Sequence, residues 1–313
     1  MNKLAMVFPG QGSQSVGMLA GYGDTPEVRE VLATASEVLG QDIGKLIAEG
    51  PAEELAKTVN TQPLMVTAGY AAYRVWQSLG GPAPAVVAGH SLGEYTALVV
   101  AGAIRFADCL PLVRYRAQAM QEAVPAGTGA MAAILGLEDD AVKAACSEAA
   151  HGEVVEAVNF NAPSQVVIAG HVSAVARAGE VCKAKGAKRV VLLPVSAPFH
   201  SSLLAPAAAR LADRLATLDI AAPSIPVIHN VDVAEHPAPA DIRTALARQA
   251  NHPVRWVETI RAIAARGVTL VGECGPGKVL APMVKRIADT ASGVALVDRA
   301  SITAAIAQAR VPS

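Results

Sequence analysis

A serine stands between two glycines in Gly89-His90-Ser91-Leu92-Gly93. A short apolar stretch over 85–88 precedes it and a helical pattern running to Val100 follows. A G-x-S-x-G segment between strand and helix is a nucleophile elbow. The sharp turn lifts the hydroxyl to the tip of the strand, the glycines admit neighbouring backbone, and the N–H of Leu92 lies at a helix start, where it can stabilise an oxyanion. The chemistry implied is acyl transfer or hydrolysis through a serine ester.

Such a nucleophile needs a base, and seven histidines are available: His90, His151, His171, His200, His229, His236 and His252. His90 adjoins the serine, but at an elbow its side chain is expected to point elsewhere. His151 and His171 fall beside a turn and at a strand end, and His236 lies in a polar, proline-containing loop over 232–239; all three read as surface. His200, His229 and His252 remain. His200 leads, because Val195-Ser196-Ala197-Pro198-Phe199-His200-Ser201-Ser202 is a loop ending an apolar strand, which suits a positioned base. Many carboxylates separate Ser91 from His200 and none stands out as the orienting group; a backbone carbonyl would serve equally.

The helical segment over 110–120 carries Arg114 and Arg116. Two residues turn about 200° on a helix, so the pair faces opposite ways. An Arg pointing inward near the serine would either join a structural ion pair or hold an anionic substrate group. Two glycine-rich stretches point to nucleotides less well. Gly10-Gln11-Gly12-Ser13-Gln14-Ser15 lacks the third glycine and the downstream acid of a dinucleotide fingerprint. Gly272-Glu273-Cys274-Gly275-Pro276-Gly277-Lys278 starts like a P-loop, but Val279 replaces the Mg²⁺-binding hydroxyl and Pro276 removes an N–H donor. A tight turn between strand and helix is expected there. No His/Cys cluster has metal-ligand spacing.

The elements that must position these residues are short buried strands alternating with helices. Residues 3–8 read as a strand, 26–39 and 61–79 as helices, and 85–88 as a strand, which is the order of an α/β layer with a parallel sheet. Residues 129–195 read differently: strands at 130–135, 154–159, 165–169 and 189–193 with helices at 138–149 and 172–185. This is a βαββαβ, ferredoxin-like order, placed as an insertion because helices and short strands (227–230, 270–272) resume after Pro198. The 313 residues thus divide into an α/β-hydrolase-like catalytic domain over 1–125 and 197–313 and an inserted subdomain over 126–196. With 52% hydrophobic and only 4% aromatic residues, the core must be built from Ala, Val, Leu and Ile, and disorder is not expected. Lys+Arg 26 against Asp+Glu 27 argues against a nucleic-acid binder. The longest apolar run, over 97–104, is about half the ~18 residues of a membrane span. Four cysteines without C-x-x-C spacing read as reduced core thiols, and the expected localisation is cytoplasmic.

Several motifs together resemble one family. Phe8-Pro9-Gly10-Gln11-Gly12-Ser13-Gln14, Gly89-His90-Ser91-Leu92-Gly93-Glu94-Tyr95, Gly127-Thr128-Gly129-Ala130-Met131-Ala132-Ala133, Val158-Asn159-Phe160-Asn161 and Gly275-Pro276-Gly277-Lys278 resemble, in this order from Met6 to about Ile287, the bacterial malonyl-CoA:acyl carrier protein transacylases of type II fatty acid synthesis. The resemblance implies that Ser91 takes the malonyl group as an ester and that His200 is its base. It further implies that a main-chain carbonyl at Gln249 orients the histidine, that the N–H groups of Gln11 and Leu92 form the oxyanion hole, and that Arg116 pairs with the malonate carboxylate while Arg114 is the outward one. Phe199 resembles the malonyl-selecting pattern of related acyltransferases. Cys274 departs from the aliphatic residue of the family pattern, a small change for a buried site.

The implied reaction is ping-pong. Malonyl-CoA is a substrate, no cofactor is held permanently, and the partner is an acidic, phosphopantetheinylated acyl carrier protein, with Lys188, Arg189, Lys285 and Arg286 as docking candidates; neither nucleic acid nor membrane is expected. Rival readings are a serine thioesterase or esterase, which would need neither Arg116 nor the insertion, and the acyltransferase of a polyketide synthase or malonate decarboxylase system.

Overall fold

A computed structural model describes residues 2–195 and 197–311; Ser196, at the expected edge of the insertion, lies outside the described residues. Its strands are β1 (Leu4–Phe8), β2 (Val86–Gly89), β3 (Gly129–Leu135), β4 (Val155–Ala162), β5 (Gln165–His171), β6 (Arg189–Leu192), β7 (Val227–Ile228), β8 (Leu270–Cys274) and β9 (Ser292–Leu296). They form two sheets. The first has the order β7-β2-β1-β8-β9 and every pairing in it is parallel. Its strands β1, β2, β7 and β8 are buried and apolar apart from Glu273, because both faces are covered. In β1, Met6 and Phe8 face one core together with Leu64, Trp76 and Leu98, whereas Ala5 and Val7 face a second core with Trp256, Ile260 and Val284.

The second sheet is antiparallel, in the order β4-β5-β3-β6, and its chain order is strand, helix, strand, strand, helix, strand, with helices Asp139–Ala149 and Val172–Ala184. One face, carrying Ala132, Ile134, Val166 and Ile168, packs on Val142, Cys146, Val175 and Cys182 of those helices. The other, carrying Met131, Val167 and Ala169, packs on Met120, Phe199 and Leu204 of the surrounding chain. The period-two alternation of an antiparallel sheet thus supplies both a private core and a junction with the first layer.

Most of the expected elements form. The helix Pro26–Leu39 starts after Thr25, whose side chain accepts from the N–H of Val28, and stops at Gly40 in the left-handed region (φ 61°). The helix over 61–79 begins earlier, as Thr58–Ser78, and carries Pro63 as its sixth residue, where the ring removes one i→i−4 hydrogen bond. The strand expected at 154–159 continues to Ala162, so the turn shortens to Pro163-Ser164, with Ser164 at φ 58°. β9 and the helix Arg299–Arg310 have no counterpart in the sequence reading. Among the described residues no helix is long and apolar enough to cross a membrane.

Register places the chemistry on one edge. Phe8 pairs with Gly89 and Val7 with Glu273, so β1, β2 and β8 end level and release the turns at Gln11, Ser91 and Gly275 side by side. In parallel α/β sheets this carboxyl edge is where ligands bind. The elbow is compressed against the neighbouring strand. A Cβ on Gly89 would lie 1.9 Å from the carbonyl carbon of Gly93, and one on Gly93 would lie 2.0 Å from the carbonyl oxygen of Phe8. Both contacts are with backbone, which cannot move aside. Gly93→Ala should therefore lower the unfolding free energy by about 3 kcal/mol or more. Gly127→Ala meets nothing within 4 Å at φ 80° and should cost only the left-handed penalty, about 1–2 kcal/mol. Urea unfolding of the two variants checks this, and equal midpoint shifts would contradict it.

Candidate active site

Ser91 sits at the elbow with φ 50° and His200 in its loop with φ 67°, both in the left-handed region that non-glycine residues enter at a cost. His200 Nε2 lies 2.7 Å from Ser91 Oγ. Its Nδ1 donates to the carbonyl oxygen of Gln249 at 2.8 Å. Gln249 is the last residue of the helix Pro239–Gln249, and the final carbonyls of a helix have no intrahelical partner. A free carbonyl is thus presented where a serine hydrolase triad would place a carboxylate. With Nδ1 protonated, Nε2 is the lone-pair nitrogen that can take the serine proton.

Arg116 is buried on the helix Phe106–Glu122. Its Nη1 donates to Gln62 Oε1 at 2.9 Å, and its Nη2 to Gln249 Oε1 at 2.8 Å and to Ser91 Oγ at 3.2 Å. The guanidinium lies over the ring of Tyr95, 5.3 Å from its centroid. Among the described residues no carboxylate bonds it directly, and its Nε has no hydrogen-bond partner. Arg114 turns away from the cleft as expected, but it is half-buried and donates to the carbonyl of Leu39 and to Gln41. It ties this helix to the end of Pro26–Leu39.

The cleft encloses about 220 Å³ and is lined by Gln11, Leu92 and Asn161 on its polar side and by Met120, Met131 and Phe199 among the apolar groups. The N–H groups of Gln11 and Leu92 have no protein acceptor among the described residues, whereas the N–H of Ser91 is taken by Asn230 Oδ1 at 2.7 Å. Asn230 also donates to the carbonyl of Gly89, fixing the elbow from outside. His90 bonds Asn161 Oδ1 at 2.7 Å, not the serine hydroxyl. His229 is buried and bonds Glu94, and His252 bonds the carbonyl of Arg248, so the alternatives to His200 are engaged elsewhere. The P-loop-like segment is filled by its own carboxylate. Glu273, fully buried, accepts from the N–H of Val279 at 3.0 Å and of Ala281 at 2.8 Å. The backbone cradle a phosphate would need is already occupied.

Gln62, Glu94, Asn161, Asn230 and Glu273 escape the sequence reading. Glu94 is in the elbow motif itself and Asn161 in another quoted motif, so a polar residue kept inside an apolar helix start was a usable signal for the first. Glu273 lies in the P-loop-like stretch and bonds backbone only a few residues on, whereas Gln62 and Asn230 are set by distant chain and have no local mark.

Burial holds the His200 imidazolium well below its ordinary 6.5, at about 3, with the Arg116 charge and His90 adding to the effect and the Gln249 carbonyl opposing it. The ring is therefore neutral throughout the physiological range. The unfolded chain takes up the proton near 6.5 and the native chain near 3. The corresponding stability is full above pH 6.5 and is lost as pH falls through that window. Ser91 acylation by an uncharged ester should stay flat from pH 8 to about 5, below the ordinary histidine pKa. In Arg116→Met the acid limb should move upward, because a neighbouring cation is gone. A wild-type limb near 6.5 in a pre-steady-state pH series would contradict the geometry.

Serine, histidine and a buried guanidinium within one cleft are the equipment of an acyltransferase acting on an acyl group with an anionic end. A family model described as acyl transferase domain matches residues 5–302. The malonyl CoA-acyl carrier protein transacylase of Escherichia coli K12 is 55% identical over 307 residues, 98% of this chain and 99% of that protein. That of Bacillus subtilis is 44% identical over 308 residues, covering 98% and 97%. The crystal structure of an acyl-carrier-protein S-malonyltransferase from Burkholderia pseudomallei superposes with TM-score 0.96 at 62% identity, over 97% of this chain and 99% of that one. A type II polyketide acyl-carrier protein in complex with its malonyl-transacylase matches with TM-score 0.96 at 50% identity, over 98% and 99%. The chain belongs to the malonyl CoA-acyl carrier protein transacylase family.

Proposed function

We propose that the protein transfers a malonyl group from malonyl-CoA to the phosphopantetheine thiol of acyl carrier protein, supplying fatty acid elongation, through a malonyl ester on Ser91. The observation that carries this reading is Arg116 Nη2 standing 3.2 Å from Ser91 Oγ in a largely apolar cleft. The malonyl carboxylate lies two bonds from the carbonyl that Ser91 would attack, so a guanidinium beside the hydroxyl is within its reach. Arg supplies parallel donors in a planar fork that a carboxylate matches.

In the first half-reaction Ser91 Oγ attacks the thioester carbonyl while His200 Nε2 takes its proton. The N–H groups of Gln11 and Leu92 bear the oxyanion. Collapse breaks the carbon–sulfur bond, and the His200 proton goes to the departing CoA sulfur. In the second, His200 removes the proton of the carrier thiol, the sulfur attacks the malonyl ester, and the proton returns to Ser91 Oγ. The chain holds no permanent cofactor in this scheme, and malonyl-CoA is a substrate. The first layer is read as an α/β-hydrolase-like domain over 1–125 and 197–313. The second is read as a ferredoxin-like subdomain over 126–196, whose outer face walls the cleft with Met131 and Val167. Four buried free thiols support a cytoplasmic location.

Intact mass after incubation with malonyl-CoA should show a malonyl adduct that is absent in Ser91→Ala. Acetyl-CoA should give little adduct, since it leaves the buried guanidinium unpaired. Arg116→Ala should lower malonyl acylation by about 100-fold or more and erase the preference over acetyl. An adduct that persists without Ser91 overturns the assignment, and mainly free malonate in the presence of carrier protein favours a thioesterase.

For the acidic carrier protein, docking is read onto Lys188, Arg189, Lys285 and Arg286, which are all exposed. Arg189 pairs across β3 through Leu135 to Gln165, and Arg286 donates to Gln165, so both basic pairs share one end of the second sheet. Lys285 and Arg286 continue the helix Ala281–Ile287, whose Met283 lines the cleft. Charge reversal at Lys285 and Arg286 should raise KM for the carrier protein about tenfold while malonyl-CoA still acylates Ser91 at the wild-type rate. Equal loss in both half-reactions would refute this surface. The likeness to a transacylase complexed with a polyketide carrier protein favours, as second reading, the same chemistry with a polyketide carrier. Comparing carrier proteins of both kinds as acceptors separates the two.

A further inference from the structure

We propose that Glu94 is a positioning residue that fixes the orientation of the Gln249 amide and, through it, the Arg116 guanidinium. Glu94 lies in the first turn of the elbow helix Gly93–Val100 and is fully buried. Its Oε1 accepts from His229 Nδ1 at 2.8 Å, and its Oε2 accepts from the N–H of Asn230 at 2.8 Å and from Gln249 Nε2 at 3.0 Å. A carboxylate accepts only, so every group facing it must donate.

For Gln249 that requirement decides which way the amide points. Its Nε2 is committed to Glu94 and to the carbonyl of Ser91 at 2.9 Å, which turns Oε1 onto Arg116 Nη2 at 2.8 Å. The flipped amide would set an oxygen against two acceptors and an NH₂ against the guanidinium donors, wrong at both ends. The same carboxylate holds the Asn230 backbone, and the Asn230 side chain holds the N–H of Ser91. One buried charge beside the nucleophile therefore sets both the elbow and the substrate-facing cation. The fully exposed alternative for a Glu at a helix start would contribute a dipole term and nothing else.

The inference rests on Arg116 being the partner of the malonyl carboxylate. Its test is a double-mutant cycle of Glu94→Gln and Gln249→Leu, which keeps the Gln249 carbonyl. Single-turnover acylation of Ser91 is measured with malonyl-CoA and with the neutral ester p-nitrophenyl acetate. Each single variant should lower the malonyl-to-neutral-ester rate ratio about tenfold, and the double variant no further than the worse single one. A merely structural role would lower both rates together and leave the ratio unchanged. An unchanged ratio in either variant, or additive losses, overturns the proposal. Should Glu94→Gln fail to fold, Glu94→Asp decides: it keeps the buried carboxylate but draws it back from Gln249 Nε2, so a lowered ratio supports the proposal and a wild-type ratio overturns it. Arg116→Ala separates the two failures. An unaltered malonyl preference there overturns the substrate reading. A collapsed preference together with additivity between the Glu94 and Gln249 variants overturns this inference alone.

Discussion

A guanidinium buried without a carboxylate is the constraint on which the rest of this structure depends. Taking Arg116 out of water is costly; its Nε has no hydrogen-bond partner among the described residues, and the acceptors of Nη1 and Nη2 are two amide oxygens and Ser91 Oγ. Each comes from a different part of the chain. Gln62 belongs to the helix Thr58–Ser78, Gln249 ends the helix Pro239–Gln249, and Ser91 tops β2. The cation can be held only if all three elements are in register, so its burial ties the packing of the first layer to the composition of the cleft. The Glu94 carboxylate offsets part of the positive charge from one residue further out, through Gln249. Burial, with the Arg116 charge adding to it, lowers the basicity of His200 and keeps the imidazole neutral, and the guanidinium's desolvation cost is met on folding.

The two residues joined by the 2.7 Å contact are both held in strained backbone, Ser91 at φ 50° and His200 at φ 67°. Strain of this kind costs about 1–3 kcal/mol per residue and persists only where the surroundings over-determine it. At Ser91 the surroundings are Gly89 and Gly93 pressed on the strand ends and Asn230 bonded to the elbow on both sides. At His200 they are the free carbonyl at a helix end and the buried Phe199 and Ser201 on either side.

The elbow, the base loop and the inward arginine were legible because each is a local pattern: glycine spacing between two elements, a loop at a strand end, two arginines on opposite faces of one helix. The βαββαβ order was legible for the same reason, since its periodicities change within a few residues. What was not legible is the identity of groups brought in from far away. Nothing around Gln62 or Asn230 marks it as a partner of a residue tens of positions distant. Spacing left His200, His229 and His252 in competition, and burial of His229 against Glu94 is a tertiary fact. The orienting group of His200 was open on the residues alone because a main-chain carbonyl has no sequence signature; only the helix end that exposes it could have shown it. β9 went unread since Ser292-Gly293-Val294-Ala295-Leu296 carries weak alternation at a sheet edge.

The second sheet explains why this equipment suits transfer between thiols. An acyl serine beside a neutral imidazole is equally open to attack by water, and an elbow with its base would then act as a hydrolase. Here the outer face of the antiparallel sheet forms one wall of the cleft beside Ser91, and Met131 and Val167 stand with Met120 and Phe199 around a space of about 220 Å³. Apolar walls offer a stray water few partners, and a water placed there has less to gain than in bulk. A long flexible arm ending in a thiol suits such a space better than water does. One layer carries the charge and the other supplies an apolar wall, and the antiparallel sheet can do so because its faces alternate between its own helices and the cleft.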